Sequence, residues 1–409
     1  MTPSNSSNIY CACCGGNHTE TVLTLAPTPL EDQFLTSPTF QPTFNLELVL
    51  CTYCGFCFLP FQLDPNLSYN QYMYNTKVTV GLDDHYSNYV NDIVRKWNVK
   101  AGSFAVDLGS NDGTMVAALN SYGLNAIGVE PAGKVALLAN DMGRKTINTY
   151  FTRDLGKKIS LDEGKAKIIT ANYMFANIPD VDDFVAGVNE LLDNNGIFIV
   201  QTGYHPDQFN LCMFDYIYHE HFSYFTLCSL QSLYKRHGLE IIDVDKQSPK
   251  GGSIRVFASK IGQYDINVHR IKMILNEEKK GKWNTRIPFD KLRETLDLRK
   301  KQLTEILSNY KKQGLSIVGF GASHSTTTLI YEFELNSFLD YIVDDNEVKH
   351  ETFSPGFHIP VYSTQKLYTD NPDILVVLAW QHQVEILKRH SEYNESSKFI
   401  IPLPEIKVI

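Results

Sequence analysis

Between Phe104 and Gln201, apolar runs of strand length alternate with amphipathic runs of helix length. Strands are predicted over residues 104–108, 126–130, 167–171 and 196–201, and helices over 113–122, 134–142 and 181–192. Strands joined by crossover helices pair in parallel and need both faces of the sheet covered. A helix over 229–237 and strands over 240–245 and 253–258 complete this unit. A helix over 83–97, with Tyr86, Tyr89, Val90, Ile93, Val94 and Trp97 at helical spacing, precedes it. The charged stretch 277–282 reads as a linker. A helix over 289–312 then feeds a second series: an apolar run at 315–322, a helix over 326–333, strands over 341–343 and 374–379, and a helix over 384–390. The chain thus holds two doubly wound α/β halves.

Ahead of them, residues 1–67 are rich in Pro, Thr and Cys and poor in helix patterning, and read as a small loop-rich module. Six of the eight cysteines, Cys11, Cys13, Cys14, Cys51, Cys54 and Cys57, lie there. Cys11 with Cys14, and Cys51 with Cys54, form two C-x-x-C pairs, each followed by Gly. Four thiolates on two tight turns make the soft tetrahedral set that Zn²⁺ prefers. With every position filled by protein the ion is structural, standing in for a core this segment lacks. Cysteines clustered this way point to a metal and a reducing compartment rather than a disulfide scaffold.

The run Val106-Asp107-Leu108-Gly109-Ser110-Asn111-Asp112-Gly113 ends a strand and opens a helix. Its glycines let a ligand approach the backbone. Their spacing is G-x-x-x-G, so the pyrophosphate fingerprint G-x-G-x-x-G is missing. Asp107 and Asp112 would repel a phosphate but suit the ammonium and sulfonium of S-adenosylmethionine. Glu130, at the end of the next strand, is placed to accept both ribose hydroxyls. Asn172, at the end of a later strand, would border the adenine or the methionine part.

Residues 214–225, Phe-Asp-Tyr-Ile-Tyr-His-Glu-His-Phe-Ser-Tyr-Phe, lie beyond the carboxyl end of the strand finishing near Gln201, where such sheets bind ligands. Histidine is a base that works near neutral pH, a carboxylate can orient it, and tyrosine hydroxyls can donate to an oxyanion. A metal site from His219, Glu220 and His221 is disfavoured, since adjacent extended residues point to opposite sides.

The balance of 37 Lys and Arg against 46 Asp and Glu, a formal charge of −9, argues against a protein that grips a polyphosphate backbone. No apolar run reaches the roughly 18 residues of a membrane helix, and the polar start has no signal pattern. The expectation is a cytoplasmic enzyme that binds neither nucleic acid nor membrane.

These motifs together resemble the sugar C-methyltransferases that methylate C3 of a nucleotide-linked 4-keto deoxysugar, as in tetronitrose and mycarose pathways. The cysteine pairs are similar to that family's zinc module. Tyr72-Met73-Tyr74 with His85-Tyr86 resembles its aromatic entry segment, and Asp107 to Thr114 its cofactor loop. Tyr218 to Phe225 looks like its Y-x-E-H-x-S-Y-F signature and Gly251-Gly252-Ser253-Ile254-Arg255 its G-G-S-x-R strand. Val343 to Asn346 and Leu378-Ala379-Trp380 look like its C-terminal domain. The resemblance implies an N-terminal zinc-binding module over 1–75, a central doubly wound methyltransferase sheet over 76–270, and a C-terminal Rossmann-like α/β domain over 271–409 that binds nucleotide sugar.

By position, it implies His221 as the base, with Glu220, Tyr218 and Tyr74 around the sugar. Cofactor residues would be Asp107, Gly109, Asn111, Glu130, Pro131 and Asn172. The nucleotide-sugar substrate, dTDP- or GDP-linked, would meet Asn177, Tyr224, Ser253, Arg255, Gly321 and Ala322. Three positions depart from the family pattern. Asn177 and Lys250 stand where His is usual, and Ser325 where the C-terminal glycine loop often has Lys.

Other chemistries remain open on the residues alone. An O- or N-methyltransferase would need no acidified C–H. A nicotinamide-dependent dehydrogenase could use Gly319-Phe320-Gly321, although the third glycine is missing. A zinc ribbon can also be a plain binding module.

Overall fold

The computed structural model describes residues 9–63, 82–391 and 397–409, with residues 82–85 and 249 described by backbone only. Tyr72, Met73, Tyr74 and the side chain of His85 lie outside the described residues.

The first segment is a sheet rather than a loop-rich module. Strands β1 (Thr19–Thr28), β2 (Phe44–Cys51) and β3 (Cys57–Phe58) run antiparallel. In β1, Val22, Leu23 and Leu25 are buried between polar neighbours; in β2, Leu46, Leu48, Val49 and Leu50 are buried. Threonines, which favour strands, hid this pattern in a composition that reads as loop. The sheet's fourth strand comes from far along the chain: β9 (Ser223–Tyr224) pairs with β3, Cys57 opposite Tyr224 and Phe58 opposite Ser223.

The second sheet holds β4 (Phe104–Leu108), β5 (Asn125–Val129), β6 (Thr146–Ile147), β7 (Ala166–Asn172), β8 (Leu192–Gly203), β10 (Leu239–Gln247) and β11 (Ser253–Lys260). Its order is β10-β11-β8-β7-β4-β5-β6, parallel from β8 to β6 with β10 and β11 antiparallel at one edge. Val106, Leu108, Ile169, Ala171, Phe198 and Val200 are all buried, as expected of strands covered on both faces.

The third sheet holds β12 (Ile317–Phe320), β13 (Ile342–Asp344), β14 (Thr352–Phe353), β15 (Pro360–Ser363), β16 (Ile374–Val377), β17 (Lys398–Ile401) and β18 (Lys407–Val408). Its order is β14-β15-β13-β12-β16-β17-β18, parallel except for the two edge strands. Among the described residues, no helix is long and apolar enough to cross a membrane.

Residues 277–282 are not a linker. They close the helix Val268–Gly281. Ile271, Ile274 and Glu278 share its buried face. Glu278 accepts from the Tyr204 hydroxyl at 2.9 Å and from the amides of Leu227 and Cys228 at 2.5 and 3.1 Å. It therefore compensates the open amides starting the helix Leu227–Arg236, and a charge buried this way leaves no apolar signature.

Residues 214–225 are gripped by β3 and by the C-terminal half, through the helix His324–Phe333 and the turn Trp380–His382. Phe214 stacks on Phe333 with ring centres 5.3 Å apart. Thr328 donates to the Ile217 carbonyl at 3.2 Å. Asp215 Oδ2 accepts from Trp380 Nε1 at 2.9 Å and Gln381 Nε2 at 2.6 Å. Burial raises the Asp215 carboxyl to about 7, against the lowering effect of those two donors. A raised folded pKa means the fold favours the proton, so this group's stabilisation fades as pH climbs from about 4 towards 7. Asp215→Asn keeps an acceptor for both donors and removes the buried charge. Chemical denaturation should find the variant more stable at pH 8 by about 1–3 kcal/mol, with a smaller gap at pH 5. Equal gaps at both pH values would contradict this.

Candidate functional site

The metal centre forms where two equivalent turns meet. Gly15 and Gly55, both at positive φ, donate their amides back to the carbonyls of Cys11 and Cys51 at 2.8 Å. Cys11 Sγ lies 3.6 Å from Cys54 Sγ, and Cys14 Sγ 3.6 Å from Cys51 Sγ. All four sulfurs fall within 4.8 Å of one another. A tetrahedron with Zn–S near ~2.3 Å has sulfurs about 3.8 Å apart, so the set fits zinc. Cys13 and Cys57 are buried outside this group.

The cofactor end of the second sheet is built around Gly109, at φ +70°. Its amide and that of Ser110 donate to the Val129 carbonyl at 2.8 and 3.1 Å. Glu130 accepts the Asn111 amide on one oxygen at 2.9 Å and the Ala132 amide on the other at 2.8 Å. Each oxygen keeps a lone pair for a ribose hydroxyl, and Pro131 follows half-buried. Asp107 accepts from Thr170 Oγ1 at 2.6 Å, and burial raises its carboxyl to about 7. Among the described residues, both side-chain polar atoms of Asn172 and the Ser110 hydroxyl are buried without a partner. Unsatisfied buried groups are costly; Asn172 ends β7 beside this loop and fits a polar ligand there, while Ser110 Oγ packs against Gly128 in β5.

Asp112 does not face this ligand. Its carboxylate takes the Thr114 hydroxyl at 2.6 Å and lies 3.8 Å from Arg144, holding the start of the helix Thr114–Ser121. The acidic character read from the loop therefore reduces to Asp107 with Glu130. At Gly109 a Cβ would stand 2.6 Å from Met174 Cγ. Gly109→Ala should weaken S-adenosylmethionine binding by at least about tenfold, since positive φ and the clash each cost on the order of 1 kcal/mol. Calorimetry showing unchanged affinity would refute this.

The turn Tyr218–His221, closed by the His221 amide on the Tyr218 carbonyl at 2.9 Å, splays its side chains apart. His219 points into the first sheet, with Nδ1 2.7 Å from Glu31 and Nε2 3.3 Å from the Asn45 carbonyl. Burial alone would lower its pKa, but the Glu31 carboxylate raises it overall. His221 faces the opposite way. Its ring packs edge-on to Tyr224 at 4.7 Å and lies 5.4 Å from Tyr218. Its Nδ1 has no partner among the described residues. Burial, with Lys250 and His324 nearby, pulls its pKa down to about 3, so the ring is neutral.

Glu220 does not brace His221. Its Oε2 lies 3.2 Å from Nε2 of His324, at the start of the helix His324–Phe333 in the C-terminal half. His324 Nδ1 is also 3.8 Å from Asp32, which Lys349 pairs at 2.7 Å. Burial opposes the charge on His324, but Asp32 and Glu220 raise it to about 9. Tyr218 lies between His221 and His324, 5.0 Å from the latter. His324 and Asp32 were invisible in the sequence because their partners come from three separate stretches of chain.

The expected substrate residues divide. Asn177 ends a half-buried turn, Phe175–Asn177, after β7. Ser253 is buried at the start of β11. Arg255 donates to Gln201 Oε1 at 2.7 Å beneath Tyr89, 3.8 Å from its ring centre. Tyr224 is buried and donates its hydroxyl to the Tyr216 carbonyl at 3.2 Å, so it backs the His221 ring instead of offering a polar contact. The Gly321 amide is spent on the Val343 carbonyl at 2.8 Å and the Ala322 amide on Asp344 at 2.6 Å. A carboxylate there opposes phosphate binding, so these amides are not the free helix-end donors the glycine loop suggested. Gly321 is needed for packing: a Cβ would lie 2.5 Å from that of Ala379. Tyr74 lies outside the described residues.

Family models match three stretches: a zinc-binding domain over 11–69, a methyltransferase domain over 90–244, and a C-methyltransferase C-terminal domain over 248–404. The C-methyltransferase NovU of Streptomyces niveus is 29% identical over 405 residues, 98% of this chain and 96% of that one. Among solved structures, the magnesium protoporphyrin IX methyltransferase ChlM of Synechocystis PCC 6803 with bound SAM covers 47% of this chain and 87% of its own. It is 14% identical, with a TM-score of 0.35. The PH0226 protein of Pyrococcus horikoshii OT3 covers 48% and 96%, at 12% identity and a TM-score of 0.37.

Proposed function

We propose that this chain, which matches methyltransferase, C-methyltransferase C-terminal and zinc-binding family models, uses S-adenosylmethionine to methylate C3 of a nucleotide-linked 4-keto-6-deoxyhexose. The nucleotide is dTDP or GDP, the setting is branched deoxysugar biosynthesis, and the place is the cytoplasm, where thiols stay reduced for zinc. In this reading residues 1–75, 76–270 and 271–409 form the zinc, methyltransferase and sugar-nucleotide domains. One observation carries the proposal: His221, its Nδ1 without a partner among the described residues, set beside a tyrosine on a loop braced by β3 and by the helix His324–Phe333.

Bound S-adenosylmethionine supplies an electrophilic methyl group. A sugar carbon becomes nucleophilic only if a proton is removed next to a carbonyl. A ketone at C4 acidifies the C3 proton, and loss of that proton leaves an enolate. His221 takes the proton and, as imidazolium, pairs with the enolate charge. Tyr218, with Tyr74, donates to the C4 oxygen. Glu220, held by His324, orients sugar hydroxyls. The neutral ring has a free lone pair to receive the proton, and the enolate anion formed beside it favours the imidazolium once the proton has moved.

The test is mass spectrometry of products from a panel of sugar nucleotides with a labelled methyl donor. Label is expected on C3 of 4-keto substrates alone. Methylation of substrates lacking the ketone would overturn the proposal.

A further inference from the structure

Lys250 sits on a left-handed turn at φ +56°, just before Gly251 and Gly252. Gln208 Nε2 holds its carbonyl at 3.1 Å. Its ammonium lies over the Tyr173 ring, 4.4 Å from the centre. Tyr173 follows Asn172 at the end of β7, and its hydroxyl accepts from Gln201 at 2.5 Å, the same Gln201 that accepts from Arg255. Among the described residues, neither Lys250 nor Arg255 has a carboxylate within 4.0 Å. Lys250 is solvent-accessible, and partial desolvation brings its ammonium down to about 8.

Lys250, packed on Tyr173 at the end of β7, therefore presents a positive charge with no carboxylate in salt-bridge distance among the described residues. His221 beside it is neutral, and the bound cofactor brings a further sulfonium. An anion that arrives or develops beside Lys250 during turnover meets an ammonium with no carboxylate in salt-bridge distance among the described residues. We infer that Lys250 is a catalytic residue whose ammonium stabilises the enolate oxygen formed when His221 removes the C3 proton. This rests on the function proposed above. The step balances: the C3–H electron pair becomes the C3=C4 bond as the C4 carbonyl π pair moves onto oxygen, the proton resides on His221, and Lys250 donates a hydrogen bond to that oxygen without transferring its proton. A preorganised cation at a developing oxyanion acts mainly in the transition state. Tyr173 holds it there through its ring face.

Lys250→Met and Lys250→Gln keep the backbone turn and remove the charge, and Lys250→Arg keeps it. The neutral variants should lose kcat by about 100-fold or more. KM for sugar nucleotide and for S-adenosylmethionine should change less than about threefold, and Arg should recover part of the rate. Exchange of the C3 proton with solvent should slow in parallel with kcat. A rise confined to KM for the sugar nucleotide would mean diphosphate binding, and a rise confined to KM for S-adenosylmethionine would mean a grip on its carboxylate; either overturns the inference. Wild-type exchange that the neutral variants leave intact also overturns it. No exchange in the wild type would instead overturn the function proposed above.

Discussion

His221→Asn is expected to lower turnover by about 100- to 10,000-fold, the range a positioned general base supplies. Asn fills similar space and can donate a hydrogen bond, but it cannot take a proton. The packing against Tyr224 and Tyr218 needs only a flat polar group, so S-adenosylmethionine should bind with unchanged affinity. The pH response has a defined sign. Because the folded pKa is lowered to about 3, the ring stays neutral well below pH 6, and His221 sets no acid limb on kcat/KM between pH 5 and 8. The fold resists its protonation, so stability associated with the neutral ring is lost as pH falls from about 6.5 towards 3. The Asn variant should accordingly keep more of its stability at pH 4 than the wild type does. Turnover within a fewfold of wild type, with steady-state rates measured at saturating substrates, would remove His221 from the role of base.

Zinc removal should abolish turnover even though the ion touches no substrate. The second knuckle leads into β3, and β3 holds β9, the strand just beyond His221. Leu59 adds its amide to the Phe222 carbonyl at 3.0 Å, and Thr226 donates to the Cys54 carbonyl at 3.2 Å. Phe56 packs on Phe225 with ring centres 5.3 Å apart. Binding energy for four thiolates, on the order of 10 kcal/mol, is thereby spent on fixing the loop that carries the base. Chelation, or Cys51→Ser, should reduce activity by at least about 100-fold and lower the melting temperature, and restoring zinc to the chelated wild type should recover both. Metal-free enzyme retaining full turnover, with zinc content checked by mass spectrometry, would show that the loop stands without its module.

The parts legible in the sequence were those with local signatures. Buried runs such as 104–108 and 167–171 announced the central sheet, the paired cysteines announced the two metal-binding turns, and the glycine loop at Gly109 marked the strand-to-helix bend that Glu130 caps. What escaped reading depended on distant partners. The two-residue β9 has no periodicity to detect, and its identity as a strand comes wholly from β3. Glu278 looks like a solvated charge until Tyr204 and the Leu227 amide are seen around it. Glu220 follows the expected spacing for a brace on His221, but a tight turn sends it to His324 instead. Ala322 was expected to meet the substrate, and only the fold brings Asp344 onto its amide.

Everything proposed for turnover depends on a carbon nucleophile made beside a ketone. Proton NMR of a 4-keto-6-deoxyhexose nucleotide in deuterium oxide, with enzyme and no methyl donor, reads that step alone. Loss of the C3 proton signal at a rate dependent on His221, followed by ¹³C-methyl on C3 once labelled S-adenosylmethionine is added, is the expected result. A persistent C3 signal, with the label ending on oxygen or nitrogen, would contradict it.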